Sequence, residues 1–171
     1  MKTFRLALIP ALAIGLAGMA HADGAFNLTD KKLATDIANG GVYEVQAAQV
    51  AAKRAQKGSV RSYAEMLVND HKKANAEFEK LAASKSMDLP RELPHEQRGR
   101  VQGLERHDAA GFDQDFLQKV GLDDHAKDIE LFEKTAETAT DPELKAFAKT
   151  TLPTLKHHRA EAEKLMATVK K

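Results

Sequence analysis

Three histidines and one glutamate occupy positions where a helix keeps its apolar side chains. Val60, Ala64, Leu67, Ala74, Phe78 and Leu81 recur at steps of three and four, and the gap in the middle of that seam is filled by His71. His125 stands in a second seam with Leu122, Ile129, Phe132, Ala136 and Ala139. His158 stands in a third with Leu144, Phe147, Thr151, Leu155, Ala162, Leu165 and Val169. Glu44 does the same among Leu33, Ile37, Gly41, Ala48, Ala51 and Ala55. Each of four helical segments therefore turns one ligand-type side chain toward the core.

Their heights follow from counting. Glu44 lies 14 residues before the break at Gly58 and His71 lies 13 after it; His125 lies 16 before the break at Asp141 and His158 lies 17 after it. At about 1.5 Å of rise per residue, each pair falls within about 1.5 Å of a common level. Three neutral imidazoles and a carboxylate suit one divalent metal ion (zinc, iron, copper or manganese), since the imidazoles donate lone pairs and the carboxylate offsets charge in a dry core. Four donors close a tetrahedral zinc site, or leave positions open on the other metals. A metal-free alternative uses the same residues: core histidines hydrogen-bonded to neighbours, with Glu44 partnering one of them.

Other polar residues flank the seams. Asp70 and Asp128 are either solvated charges or hydrogen-bond partners that orient an imidazole. Tyr43, next to Glu44, either bonds to a ligand or packs as an amphipathic side chain. His157 points about 100° away from His158 round its helix and is expected in solvent with His95 and His107. Pro153 removes a helical hydrogen bond and is expected to kink the helix before His158.

The elements that position these groups read as four long helices rich in Ala, Leu, Glu, Lys and Gln. The first runs from Asn27 or Thr29 to about Gln56, the second from Gly58–Ser59 to about Ser86, and the third from about Phe112 to Thr138. The fourth begins at "TDPELKAF", where Thr140 with Glu143 reads as a capping box and Pro142 fits the first turn. Met87–Gly111 connects the second and third, with a short helix expected at Glu96–Arg106. It is far longer than the roughly two to eight residues usual between antiparallel neighbours. It is long enough to cross the length of a bundle, which favours two hairpins joined by a crossover over a plain up-down bundle or a solenoid.

The chain opens with "MKTFRLALIPALAIGLAGMAHA", a basic start, an apolar run shorter than a bilayer span, and Ala20-His21-Ala22. This predicts a signal peptide, residues 1–22, cut after Ala22, and an exported domain over residues 23–171 with no transmembrane segment. Periplasmic residence, outer-membrane association or secretion all fit. The chain has no Cys, so a metal must be held by nitrogen and oxygen donors. Its net charge of +1 includes Lys2 and Arg5 of the leader, so nothing in the charge calls for nucleic acid.

"GGVYEVQAAQVA", "YAEMLVNDHKKAN", "GFDQDFL", "DDHAKDIELFEKTA" and "DPELKAFAKTTLPTLKHH" occur in an order that resembles the bacterial family of unknown function DUF 4142. The resemblance spans almost all of the exported part. It implies an exported, all-α, ferritin-like four-helix bundle and brings no established activity. Di-iron members of the ferritin-like group use Glu-x-x-His on two helices. Here Val68 and Leu155 stand three residues before His71 and His158, and His125 replaces a third-helix Glu. A di-iron centre is therefore not expected, and a single ion held by Glu44, His71, His125 and His158 is. The roles that fit are metal handling or envelope stress protection. The alternatives are a metal-free structural or interaction protein and a metal-dependent redox enzyme or hydrolase. No nucleophile with a partner base is visible, which weighs against an enzyme.

Overall fold

In the computed structural model the described residues are 24–169; the expected signal peptide, residues 1–22, lies outside them. Five helices form: α1 (Leu28–Arg54), α2 (Gly58–Ser84), α3 (His95–Arg106), α4 (112–138) and α5 (Pro142–Val169). No strand occurs among the described residues.

The helix limits follow local chemistry. Asn27 caps α1 by accepting the Asp30 amide at 2.8 Å. Pro142 sits in the first turn of α5, but the cap is Asp141, whose Oδ1 accepts the amides of Glu143 and Leu144, each at 2.9 Å. The expected Thr140 capping box does not form, because the Thr140 hydroxyl and amide donate to Asp30 instead. α5 runs unbroken through Pro153. α1 and α2 stop about two residues short of the expected ends, at Arg54 and Ser84.

Helix α4 changes pitch midway. Phe112–Phe116 and His125–Thr138 are α-helical, and Leu117–Asp124 between them is a π-helix. Such wide turns are rare and recur at functional sites. This one ends where His125 begins.

Hydrogen bonds at the two ends set the directions. At one end, Asp113 of α4 accepts the amides of Gln56 and Lys57 at 2.8 Å, and Lys57 Nζ donates to Thr168 O of α5 at 2.7 Å. At the other, Asp30 of α1 holds Thr140 and Asp141, and Lys85 after α2 pairs with Asp141 at 3.0 Å. The starts of α2 and α4 thus share one end, and their finishes share the other. α2 and α4 run parallel, so the segment between them must return along the bundle. It does so against α1, burying Leu93, Val101 and Leu104, while Arg54 donates to Glu105 O at 2.7 Å. This is the crossover topology of two helical hairpins.

The core has two apolar clusters. One contains Ala47, Ala51, Val60, Leu67, Phe112, Phe116 and Ala162; the other contains Leu33, Ile37, Phe78, Phe132, Leu144 and Leu155. On α2, α4 and α5 the histidine falls between that helix's members of the first cluster and its members of the second, and on α1 Glu44 lies at the same boundary, next to Tyr43 of the first cluster. The polar layer therefore interrupts the core at mid-bundle.

Candidate metal centre

Four helices each bring one buried polar group to this layer: Glu44 (0 % exposed) from α1, His71 (6 %) from α2, His125 (0 %) from α4 and His158 (1 %) from α5. The three imidazoles converge. One nitrogen of each lies within 4.8 Å of the others, and the ring centroids are 5.3–5.6 Å apart.

The outer partners fix the tautomers. His125 Nδ1 lies 2.9 Å from Val120 O in the π-helical stretch. A carbonyl only accepts, so Nδ1 carries the hydrogen and Nε2 of the neutral ring keeps its lone pair. His158 Nε2 lies 2.9 Å from Asp70 Oδ2 on α2. A carboxylate also accepts, so His158 Nδ1 is the bare nitrogen. These two bare nitrogens, His125 Nε2 and His158 Nδ1, face each other at 3.2 Å. Two lone pairs at that distance repel unless a proton or a cation serves both. Nε2 of His71 is buried beside them with no hydrogen-bond partner.

A proton is poorly accommodated. Burial pushes the His125 imidazole down to about 4, against the pull of the Val120 carbonyl. Burial lowers His71 well below the ordinary range, and the neighbouring His125 and His158 lower it further. His158 is lowered by burial as well, with Asp70 acting in the opposite sense. A divalent cation suits the donors better. At about 2.1 Å from each facing nitrogen it would subtend about 100° between them, close to the angle of a tetrahedral site. Imidazoles whose outer N–H groups donate to a carbonyl and a carboxylate are the usual arrangement around such an ion. With one carboxyl in the layer and apolar Val68 and Leu155 where bridging glutamates would stand, the donors do not fit a di-iron centre.

Glu44 stands on the other side of His125. Its Oε1 is 4.0 Å from His125 Nδ1, the nitrogen engaged with Val120, and it is not among the atoms gathered within 4.8 Å. Both of its oxygens are buried without a hydrogen-bond partner. Burial, then the charges of Asp128 and Asp124, raise its carboxyl well above the usual range, with Arg100 opposing. Tyr43 donates to Asp124 Oδ2 at 3.0 Å and lies under the Arg100 guanidinium, which pairs with the same carboxylate. Asp128 is half-buried and its carboxyl is pushed up to about 7, by burial first and by Asp124 second.

The flanking residues resolve differently from one another. Asp70 is the oriented partner of an imidazole, not a free charge. His95 and His157 are exposed as expected, whereas His107 is half-buried against Asp115 at 3.0 Å. Asp124, Arg100 and the Val120 carbonyl escaped the sequence reading. Gly121 inside an otherwise helical stretch was the available signal: a Cβ there would come 2.7 Å from Ala162 Cβ.

The family model described as a domain of unknown function (DUF4142) matches residues 16–165. The chain belongs to the DUF4142 family. No curated protein matches it. Its fold is similar to a crystal structure of a DUF305 fragment from Deinococcus radiodurans, with a TM-score of 0.73 and 14 % identity over 84 % of this chain and 99 % of that one. The likeness establishes a shared helical-bundle architecture. Within the described residues of this DUF4142 protein, no helix is long and apolar enough to cross a membrane.

Proposed function

We propose that this DUF4142 protein binds one divalent metal ion through His71, His125 and His158, with the Glu44 carboxyl behind His125 offsetting its charge without ligating it. The observation that carries this reading is the pair of bare nitrogens, His125 Nε2 and His158 Nδ1, facing at 3.2 Å while their outer nitrogens are engaged by Val120 O and Asp70. A metal-free hydrogen-bond network would place a hydrogen between the rings. It would also leave neither His71 Nε2 nor the Glu44 oxygens orphaned in the core.

The apolar, basic-headed start of the chain supports export, and metal handling in the cell envelope is the role that fits an exported binding protein. Nitrogen donors place zinc, copper and iron ahead of magnesium and calcium. The test is elemental analysis of the exported chain purified without an affinity tag, beside a His71→Ala variant. One ion per chain, lost in the variant, is the expected result. No bound ion after incubation with zinc, copper(II), iron(II) and manganese would reject the reading. Mass spectrometry of the same material checks export, with Asp23 expected at the amino terminus and an intact leader contradicting it.

A further inference from the structure

A buried ion site needs a way in, and two cavities meet beside this one. On the outside lies a pocket of about 410 Å³ between α1, α3 and α4, with carboxylate side chains outnumbering cationic ones five to two in its wall. Both cations, Arg100 and Lys127, are directed at Asp124. Among the described residues Asp128 forms no ion pair, and Glu44 at the same pocket has two buried oxygens with no partner. Above the Asp128 range, near pH 8, Asp36, Glu96, Asp124 and Asp128 face two cations, so the field of the pocket favours a cation, and the carboxyl groups of Asp128 and Glu44 are uncommitted.

Beside it, sharing part of its wall, lies a narrow cavity of about 20 Å³ bordered by His71, Asn75 and Thr151. That is space for about one water molecule or one small ion. Gly40 and Asp128 belong to the walls of both cavities. A Cβ on Gly40 would come 3.4 Å from Asp128 Oδ1, so a longer side chain there would project into the boundary. Glycine inside α1 weakens the helix by about 1 kcal/mol relative to alanine. At Gly41 the adjoining Asn75 amide occupies the place of a Cβ, which accounts for that glycine. At Gly40 the contact is ordinary, so close fit does not account for it.

Resting on the metal-centre reading above, we propose that the acidic pocket is the port by which a divalent cation reaches the imidazoles. Asp128, against Gly40, is the last carboxylate the ion meets before His71. The pocket collects the hydrated cation, the Asp128 carboxylate replaces part of its water shell, and the passage beside the Gly40 backbone admits it to the inner cavity. Glu44, at the pocket and 4.0 Å from His125, marks the same face as the side of arrival.

The experiment is stopped-flow zinc loading of the chelator-stripped full chain at pH 8, where Asp128 is ionised, with release to excess chelator measured in parallel. Asp128→Asn keeps the shape and removes the charge. It should slow loading roughly five- to tenfold at low ionic strength, with the difference narrowing in about 1 M salt. Gly40→Leu should slow loading and release together at any salt and leave affinity unchanged, the mark of a passage as opposed to a ligand. Glu65→Gln, on an exposed face of α2, should change neither rate. Wild-type loading rates in both Asp128→Asn and Gly40→Leu, with normal occupancy, would overturn the port and leave the metal centre standing. Faster release with unaltered loading in Asp128→Asn would overturn it too, since Asp128 would then be holding the bound ion. A wild-type chain that takes up no zinc would overturn the metal-centre reading and the port with it.

Discussion

Buried polar groups occur in this bundle at its two ends and at its middle, and the two settings treat them in opposite ways. At the ends nearly all are answered, Arg54 Nε at the close of α1 being the exception. Asp30 accepts the Thr140 amide and hydroxyl and the Asp141 amide; Asp113 accepts two amides at the α1–α2 turn; Lys85, 3 % exposed, pairs with Asp141. At mid-bundle the Glu44 oxygens and His71 Nε2 have no partner, and the tautomers set by Val120 O and Asp70 leave two neutral imidazole nitrogens facing each other lone pair to lone pair. A buried polar atom left unpaired destabilises by about 1–3 kcal/mol. The same chain that completes all but one of its buried side-chain bonds at the ends leaves several incomplete in the middle. The ends use buried charge to tie hairpins together, and the middle holds donors arranged for something that arrives later.

That contrast can be broken most forcefully at its centre. With zinc at about a thousand times its dissociation constant, bound metal adds about 4 kcal/mol of stability. His71→Ala should remove nearly all of that increment, read as the loss of the zinc-induced rise in melting temperature. An undiminished rise would place the ion elsewhere.

The ends should behave in reverse. Asp30→Ala strands two amides and a hydroxyl, and should destabilise the chain by about 3 kcal/mol in urea unfolding. The loss should be equal with and without zinc. A loss that disappears on zinc addition would merge the two regions into one network.

Asp128 sharpens the comparison through pH. Its carboxyl is raised from an ordinary 3.8 to about 7, so the fold disfavours the ionised form that the unfolded chain adopts above pH 4. Stability is therefore lost as pH rises from about 4 to 7. The full shift corresponds to roughly 4 kcal/mol; solvent screening of this half-buried group reduces the expected gain of Asp128→Asn over wild type to about 2 kcal/mol across that window, level above it. Urea unfolding at pH 4, 6 and 8 measures this, and a constant gap would contradict the assigned environment.

The smallest effect belongs to the outer partner of an imidazole. Asp70→Ala removes the acceptor that holds His158 Nε2–H and should weaken zinc binding about tenfold, near 1.4 kcal/mol. Direct titration against a competing chelator reads it. Unchanged affinity would make Asp70 a surface charge after all.

Much of the middle was legible before any coordinates. Seam position and equal height are local, periodic properties, and they brought His71, His125 and His158 to one layer. The crossover was legible because chain length limits where Met87–Gly111 can run. What stayed hidden depended on neighbours in space. Asp70 precedes His71 in sequence but serves His158, because α2 lies beside α5. The wide π turn that presents the Val120 carbonyl to His125 has no period of its own to read. Glu44 was matched to the histidines by its seam position and its height. Height says nothing of azimuth, and its carboxyl lies on the Nδ1 side of His125, toward Asp124 and Asp128. Thr140 and Asp141 are both good caps, and the choice between them was made by Asp30 from the far hairpin.

The most direct measurement is a zinc titration of the stripped, tag-free chain by isothermal calorimetry, with His71→Ala and the exposed-site control His95→Ala alongside. The account predicts one ion per chain in wild type and in His95→Ala, and loss of that binding in His71→Ala. Absence of binding in wild type, or binding that survives in His71→Ala, would contradict it.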